Sequence, residues 1–299
     1  MIYYFLPDSG HFGGVKVACQ FVETLNTLGI PAVICMRDAS APQWFTGRFA
    51  VLSEAIAVDR ITEHDIVMIT WPPDHRRLAH LPGRRVCHAQ GTDPLMDPIF
   101  ADPDFLILTC WDQATDYVRT KHGREPIQVG ISVSECFYFD GEPIVPPLKL
   151  DNRVAYMPRR GFRILLRCLL RVRNLDFHPI DGLAEAEVAR RLRRSGVFLA
   201  SAVGEQFGLP ALEAMAAGCV VVSVPVKGGV EYLRHGDNCL VVEPEDLPDV
   251  LDWLAHPSQA GERLRLRHRA AATGLAYRPQ VQRERLRRLL ASGVRAFLT

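Results

Sequence analysis

The fold is indicated most clearly by residues 197–224, which read VFLASAVGEQFGLPALEAMAAGCVVVSV. Two short apolar runs, Val197–Ala200 and Cys219–Val224, enclose a glycine-containing loop and a helix near Pro210–Ala217. Gly218 follows the helix at the position where a left-handed residue commonly ends one. Continuous apolar runs that are joined by a helix are typical of parallel strands buried on both faces.

The same alternation of apolar runs and amphipathic stretches extends along the whole chain. It predicts an α/β protein with two Rossmann-like, doubly wound domains that face each other across a cleft. The proline-rich segment Asp140–Pro147 is typical of a linker. We therefore expect an N-terminal acceptor domain over residues 1–143, a C-terminal donor domain over 144–277, and a helix over 278–299 that packs back on the N-terminal domain.

The composition is that of a globular protein, with 48% apolar residues, 23% charged residues and a formal net charge of +1. This charge gives no indication of a nucleic acid partner. The eight cysteines occur singly, which speaks against a zinc site or a disulfide framework and fits a reducing compartment. Because the chain has neither a signal-peptide pattern nor a run of roughly 18 apolar residues, we expect it to be cytoplasmic.

Two glutamates occupy the junction between strand, loop and helix in the opening stretch. Glu205 lies in the loop, and Glu213 lies eight positions later in the helix. The free N–H groups and the positive end of a helix dipole suit a diphosphate, and a carboxylate can accept hydrogen bonds from two sugar or ribose hydroxyls. The junction therefore predicts a nucleotide-sugar site, and a helix-capping, solvated role for both glutamates is the alternative.

This stretch resembles the E-x7-E signature of the retaining family 4 glycosyltransferases, whose two Rossmann-like domains are of the GT-B type. The resemblance is specific over about residues 150–255 and weaker over the N-terminal half. It implies that Glu205 contacts the transferred sugar and that Glu213 contacts the nucleotide ribose. It also implies that three neighbouring residues bind the donor: Phe207, Gly208 and Leu209.

Adjacent arginines follow the strand run Val154–Met157. By the resemblance, Arg159 neutralises the donor diphosphate and stabilises it as the leaving group. Arg160 takes the place of the family's lysine, with Arg163 as the alternative. A solvent-exposed basic turn would give the same sequence pattern.

A glycine-rich loop joins the first strand run to the first helix. Gly13 and Gly14 resemble the family's Gly-Gly loop, which meets the donor phosphate and the acceptor, and glycine lets a backbone approach a ligand closely. Lys16, in the same helix, is either a contact to phosphate or acceptor or a surface residue. An ordinary tight turn is the alternative for the loop.

A histidine ends one of the central strand runs of the N-terminal half. His88 resembles the family's sugar-contacting histidine, and a satisfied core residue is the alternative. Gln90 and Asp93, in the loop that follows, are candidate acceptor contacts. The sequence Asp102-Pro-Asp104 has the form of a metal-binding pair, but it precedes a strand run, so we interpret it as a turn. We expect no metal and no other cofactor.

These features predict a hexosyltransferase that moves a sugar from a nucleotide diphosphate sugar to a hydroxyl acceptor, with retention of anomeric configuration. The resemblance points to polysaccharide or glycolipid biosynthesis. The acceptor is a saccharide, a lipid-linked molecule or a small molecule, and the sequence does not choose among them. A nucleotide-sugar epimerase on the same fold and a non-catalytic sugar-nucleotide-binding or scaffold subunit are the alternatives.

The final segment combines arginines with leucines in a helical pattern, and its members are Arg283, Arg285, Leu286, Arg287, Arg288, Leu289 and Leu290. This pattern is typical of a surface helix that makes peripheral contact with an anionic membrane. A helix packed on the domains is the alternative.

Overall fold

A computed structural model describes residues 1–139, 150–159 and 161–294 of the chain. Three expectations therefore lie outside the described residues: the linker Asp140–Pro147, the domain boundary within it, and the position of Arg160.

The chain forms two compact units. The first contains Met1–Ser132 together with Pro279 and the described residues after it, and the second contains Val133–Arg278. The chain thus leaves the first unit once and returns to it.

The first unit contains, among its described residues, a parallel sheet with the strand order β3-β2-β1-β4-β5-β6-β7. Its elements in chain order are β1 (Ile2–Phe5), α1 (Gly13–Thr27), β2 (Ala32–Met36), β3 (Val51–Ser53), α2 (Glu54–Arg60), β4 (Ile66–Ile69), α3 (Asp74–Arg77), β5 (Arg84–Ala89), α4 (Asp97–Ala101), β6 (Phe105–Thr109), α5 (Asp112–His122) and β7 (Ile127–Gln128).

The second unit contains a parallel sheet with the strand order β12-β11-β10-β8-β9. Its elements are β8 (Leu150–Tyr156), α6 (Phe162–Arg171), β9 (Asp176–Pro179), α7 (Glu185–Arg194), β10 (Ser195–Ala200), α8 (Leu209–Ala216), β11 (Val220–Ser223), β12 (Leu240–Val241), α9 (Leu247–Ala255) and α10 (Ala260–Leu275).

The last α-helix, α11 (Pro279–Leu289), belongs to the first unit and continues as a π-helical turn, Leu290–Val294. Leu286 is 1% exposed and lies in the first unit's core, and Leu289 and Leu290 pack against that core. Gln282 fixes the helix further, because its amide donates to the carbonyl of Gly130 at 2.9 Å and accepts from the Ser132 hydroxyl at 2.8 Å.

Strand β1 shows why the sheets form from uninterrupted apolar runs. Ile2 and Tyr4 lie in one core cluster of the first unit, whereas Tyr3 and Phe5 lie in the cluster on the opposite face. Because helices cover both faces, both sets of side chains must be apolar. The prediction of two Rossmann-like α/β domains with parallel sheets is confirmed.

Strand β3 was not predicted. It has three residues, all only partly buried, and it pairs with β2 alone at the edge of the sheet. An edge strand this short carries no apolar run that distinguishes it from a loop. No described helix is long and apolar enough to cross a membrane.

Candidate functional site

The sheet of the second unit changes its direction of winding beside β8. The chain passes from β8 to β9 on one side and then crosses to β10 on the other side. In an open parallel sheet, ligands bind at such a switch point, at the carboxyl ends of the strands. The loops after β8 and after β10 are in close contact there. Gly161 lies so near the carbonyl oxygen of Ser201 that a Cβ on Gly161 would collide with it.

Helix α8 begins at this edge and is held by a buried tyrosine. The Tyr232 hydroxyl lies 2.6 Å from the carbonyl oxygen of Gly208 and 3.1 Å from that of Phe207, so it donates its proton into this pair of acceptors. Gly208 caps the helix with a φ of 82°, and a Cβ there would lie 2.9 Å from the Tyr232 oxygen. Tyr232 therefore fixes the start of α8, and only glycine suits position 208.

Glu205 and Glu213 lie around the same tyrosine. Glu205 is half-buried in the loop, and its carbonyl accepts from the Lys227 amide at 2.9 Å, whereas Glu213 is 6% exposed on α8. Burial raises the pKa of Tyr232 well above its usual value, and electrostatic interactions with its neighbours, which include Glu205 and Glu213, raise it further. Glu205 thus lies in the loop that leads into α8, and Glu213 lies in the second turn of that helix.

Arg159 lies at the carboxyl end of β8 and is half exposed. Its Nε donates to Oδ1 of Asp181 at 2.6 Å, in the loop after the neighbouring strand β9. Asp181 therefore orients the guanidinium, a role that sequence analysis missed. Arg163 is exposed in the first turn of α6.

In the first unit, Gln90 connects the end of β5 to the start of α1. Its Nε2 donates to the Tyr4 hydroxyl at 3.2 Å, and its Oε1 would lie 2.9 Å from a Cβ on Gly14. Gly13 is exposed at the first position of α1, and Lys16 is buried one turn into the helix. The Gln90 amide thus lies directly against the Gly14 backbone, in the space that a side chain there would share.

His88 is fully buried beneath Gln90. Its Nδ1 lies 2.9 Å from the Tyr4 hydroxyl, and its Nε2 lies 3.1 Å from Sγ of Cys110. Because the Gln90 amide donates to the Tyr4 oxygen, the Tyr4 proton is available for His88 Nδ1. Burial lowers the pKa of His88 to about 3, so the imidazole is neutral. Any influence of His88 on a ligand passes through Tyr4 and Gln90.

Asp93 is exposed and caps the 3₁₀ turn Pro94–Met96, since its carboxylate accepts from the Leu95 amide at 3.0 Å. Asp102 and Asp104 lie in the turn between α4 and β6, as predicted. Asp102 contacts His75 at 2.9 Å and accepts from the Asp104 amide at 3.0 Å. Among the described residues, no group of three or more His, Cys, Asp or Glu side chains could hold a metal ion.

The switch point and both glutamates lie in or beside a segment that matches a known family. Residues 163–255, which run from α6 to the end of α9, match the family described as glycosyl transferases group 1. The match covers less than half of the chain, so it gives a similarity of this segment to that family. Glu205 and Glu213 both lie inside the matched segment, whereas Arg159 lies just before it.

Solved structures resemble the whole chain. UDP-glucose-bound HepE of Anabaena has a TM-score of 0.74 at 13% identity and covers 97% of this chain and 99% of its own. The sucrose-phosphate synthase of Thermosynechococcus elongatus has a TM-score of 0.74 at 12% identity over 99% of each chain. A glycosyltransferase of Rickettsia africae has a TM-score of 0.72 at 12% identity over 97% of each.

At these identities the likeness establishes the fold, which is that of the GT-B glycosyltransferases. Among curated proteins, none matches the chain in sequence.

Proposed function

We propose that the chain is a retaining, metal-independent hexosyltransferase that uses a nucleotide diphosphate sugar as donor. The observation that carries the proposal is the placement of Glu205 in the loop that leads to the N-terminal end of α8 and of Glu213 on α8 itself, both inside the segment that matches the group 1 family. This end lies beside the switch point of the second sheet, where ligands of such sheets bind.

The second unit is the donor unit in this proposal. The N–H groups of Phe207 and Gly208, just before α8, and of Leu209, its first residue, bind the diphosphate together with the helix dipole. Arg159 and Arg160 add positive charge, which stabilises the diphosphate as it leaves. Glu213 binds the ribose hydroxyls and Glu205 binds the transferred sugar, because carboxylates accept paired hydroxyl donors well.

Transfer needs no protein nucleophile in this scheme. The bond between the anomeric carbon and the phosphate oxygen breaks, and the acceptor oxygen bonds to the same face of that carbon. The acceptor proton passes to the departing phosphate, so charge and atoms balance. The positive groups at the end of β8 stabilise the charge that develops on the diphosphate.

The first unit supplies the acceptor contacts in this proposal. Gly13, Gly14 and Lys16 lie at the start of α1, and Gln90 and Asp93 lie after β5. The acceptor is a hydroxyl-bearing saccharide, lipid-linked molecule or small molecule, consistent with polysaccharide or glycolipid biosynthesis in the cytoplasm. His88 acts indirectly, by holding Tyr4 and therefore Gln90 in place.

A thermal-unfolding screen of UDP, GDP, ADP, TDP and CDP, each with its sugars and with or without EDTA, tests donor binding. A ligand present at about 100 times its dissociation constant adds about 2.7 kcal/mol of stability. UDP-sugars are the first choice, because HepE was solved with UDP-glucose. We expect one nucleotide to raise the unfolding temperature equally in EDTA, and Glu213→Gln to abolish the rise.

Glu63→Gln is the matched control, because Glu63 is exposed before the amino end of β4 and should leave the shift unchanged. No shift with any nucleotide would contradict the donor site. A shift without transfer to any acceptor would favour a binding subunit, and a new sugar formed from donor alone would favour an epimerase. Once an acceptor is found, the anomeric proton signal of the product tests retention.

A further inference from the structure

Helix α6 carries large apolar side chains on two sides. Leu165 and Cys168 face inward and are buried in the core of the second unit. Phe162, Leu166 and Leu170 are 60%, 41% and 61% exposed. Since residues four positions apart lie on one face of a helix, these three form a single outward stripe. We call it the α6 stripe.

A row of arginines runs beside the α6 stripe. Arg163, Arg167 and Arg171 each follow a stripe residue by one position, and α6 contains no acidic residue. Arg171 is paired with Asp249 of α9 at 2.7 Å. Arg163 and Arg167 are exposed, and neither is in an ion pair with another described residue. An apolar stripe flanked by free guanidinium groups fits a surface that offers both hydrocarbon and negative charge.

The neighbouring helix α9 also carries a large exposed side chain, one turn after the Asp249 that pairs with Arg171. Trp253 is 42% exposed there, and indole rings favour the boundary between lipid and water. The acidic groups of α9 that face α6 are engaged, since Asp249 binds Arg171 and Asp252 accepts from the Asn174 amide at 3.5 Å. They therefore reduce the positive charge at the far end of α6 and leave Arg163 and Arg167 unaffected.

Helix α11 has a similar composition but not this property. Leu286 is buried in the core of the first unit and Leu289 packs against that core, while Arg287 and Arg288 both pair with Glu284. Among the described residues of these two helices, the leucines that stay exposed beside arginines are those of α6.

We infer that the α6 stripe and its arginines bind peripherally to an anionic lipid bilayer, with the stripe in the interface and the guanidinium groups on lipid phosphates. A second copy of this chain fits the surface less well, because a symmetric contact would oppose the two arginine rows. As α6 begins directly after Gly161, binding holds the carboxyl edge of the second sheet near the bilayer.

The test is flotation of the full chain with vesicles of phosphatidylcholine alone or mixed with phosphatidylglycerol, at low and raised salt. Wild type should float with the anionic vesicles only, and raised salt should weaken binding. Leu166→Gln combined with Leu170→Gln should weaken binding by about tenfold or more. Arg167→Glu should weaken it on the order of tenfold.

Arg288→Glu is the matched control, because it reverses one exposed charge on an arginine-rich helix whose leucines are buried. It should bind as wild type does. Unfolding temperatures measured alongside distinguish loss of binding from loss of fold. The inference is overturned if wild type does not float, if the α6 variants float as well as wild type, or if Arg288→Glu fails equally. A dimer that the α6 variants dissociate would likewise overturn it in favour of a second copy.

Discussion

At the scale of single residues, Tyr232 holds the loop that leads into α8 in the candidate donor site. Its hydroxyl is the described contact that holds the carbonyls of Phe207 and Gly208 at the start of α8. We expect Tyr232→Phe to lower the free energy of unfolding by about 1–2 kcal/mol, since buried acceptors lose a donor. It should also reduce the nucleotide-induced rise in unfolding temperature, because the loop is no longer fixed.

Tyr138→Phe is the comparison for this prediction. The Tyr138 hydroxyl donates to the Gly274 carbonyl at 2.8 Å in the same unit, at the other end of α8, where Gly274 packs against Ala216. This variant should lose similar stability and keep the nucleotide-induced rise. An equal loss of that rise in both variants would show that Tyr232 has no specific effect on the loop.

His88 gives a prediction about pH. Burial lowers its pKa from 6.5 to about 3, so between these values the unfolded chain binds a proton that the folded chain does not. The stability that neutral His88 contributes is therefore complete above about pH 6.5 and declines as pH falls, by about 1.4 kcal/mol per unit. In urea unfolding followed from about pH 7 to about pH 5, His88→Gln should show a shallower dependence on pH than wild type. Equal slopes would contradict the burial of a neutral imidazole.

Single residues also show how far the sequence could predict the candidate site. Glu205 and Glu213 are close in the chain, so the strand–loop–helix pattern already placed them at one junction. Tyr232 and Asp181 were missed, because they act on residues 22 to 25 positions away and nothing local marks them. His88 contacts Tyr4, 84 positions away in β1, and Cys110, 22 positions away just after β6, so no local pattern marks its burial.

At the scale of elements, substitutions at two glycines can show how closely the loops after the strands pack against each other. Gly161 and Gly182 both have positive φ, at 74° and 64°. A Cβ on Gly161 would collide with the Ser201 carbonyl, whereas a Cβ on Gly182 meets nothing within 4 Å. Gly182→Ala should therefore lower stability by about 1 kcal/mol, for backbone strain alone.

Gly161→Ala should lower stability by clearly more than Gly182→Ala and should also abolish nucleotide binding, because the loops after β8 and β10 must separate. Thermal unfolding with and without nucleotide measures both effects. Equal, small losses in the two variants would mean that the contact between the loops is dispensable.

Elements differ in how well sequence predicts them. The long strands are apolar on both faces and were identified from continuous runs, whereas β3 was not. Helices α6 and α11 are both rich in leucine and arginine, so composition could not tell which of them keeps exposed leucines. That difference arises from the packing of α11 on the core of the first unit.

At the scale of the whole molecule, the first unit contains α11, a helix that follows the second unit in the sequence and whose Leu286 lies in the core of the first unit. We expect Leu286→Ala to destabilise the first unit by about 2–5 kcal/mol, because it leaves a cavity in the core. Leu264→Ala, at an exposed position of α10, should change stability little. Calorimetry of both variants with nucleotide present checks this, since nucleotide bound to the second unit raises the transition of that unit alone. A loss in the second unit's transition would contradict the assignment of α11.

The return of the chain to its first unit also imposes an order on biosynthesis. A ribosome makes the strands β1 to β7 first, but α11, which contributes Leu286 to one of the two core clusters of the first unit, is made after Arg278. The second unit, Val133–Arg278, is complete once Arg278 has been translated. At that point the first unit still lacks α11 and exposes part of its apolar core. Nascent chains stalled after Arg278 should therefore protect the second unit from protease and leave the first unit accessible to protease and chaperones.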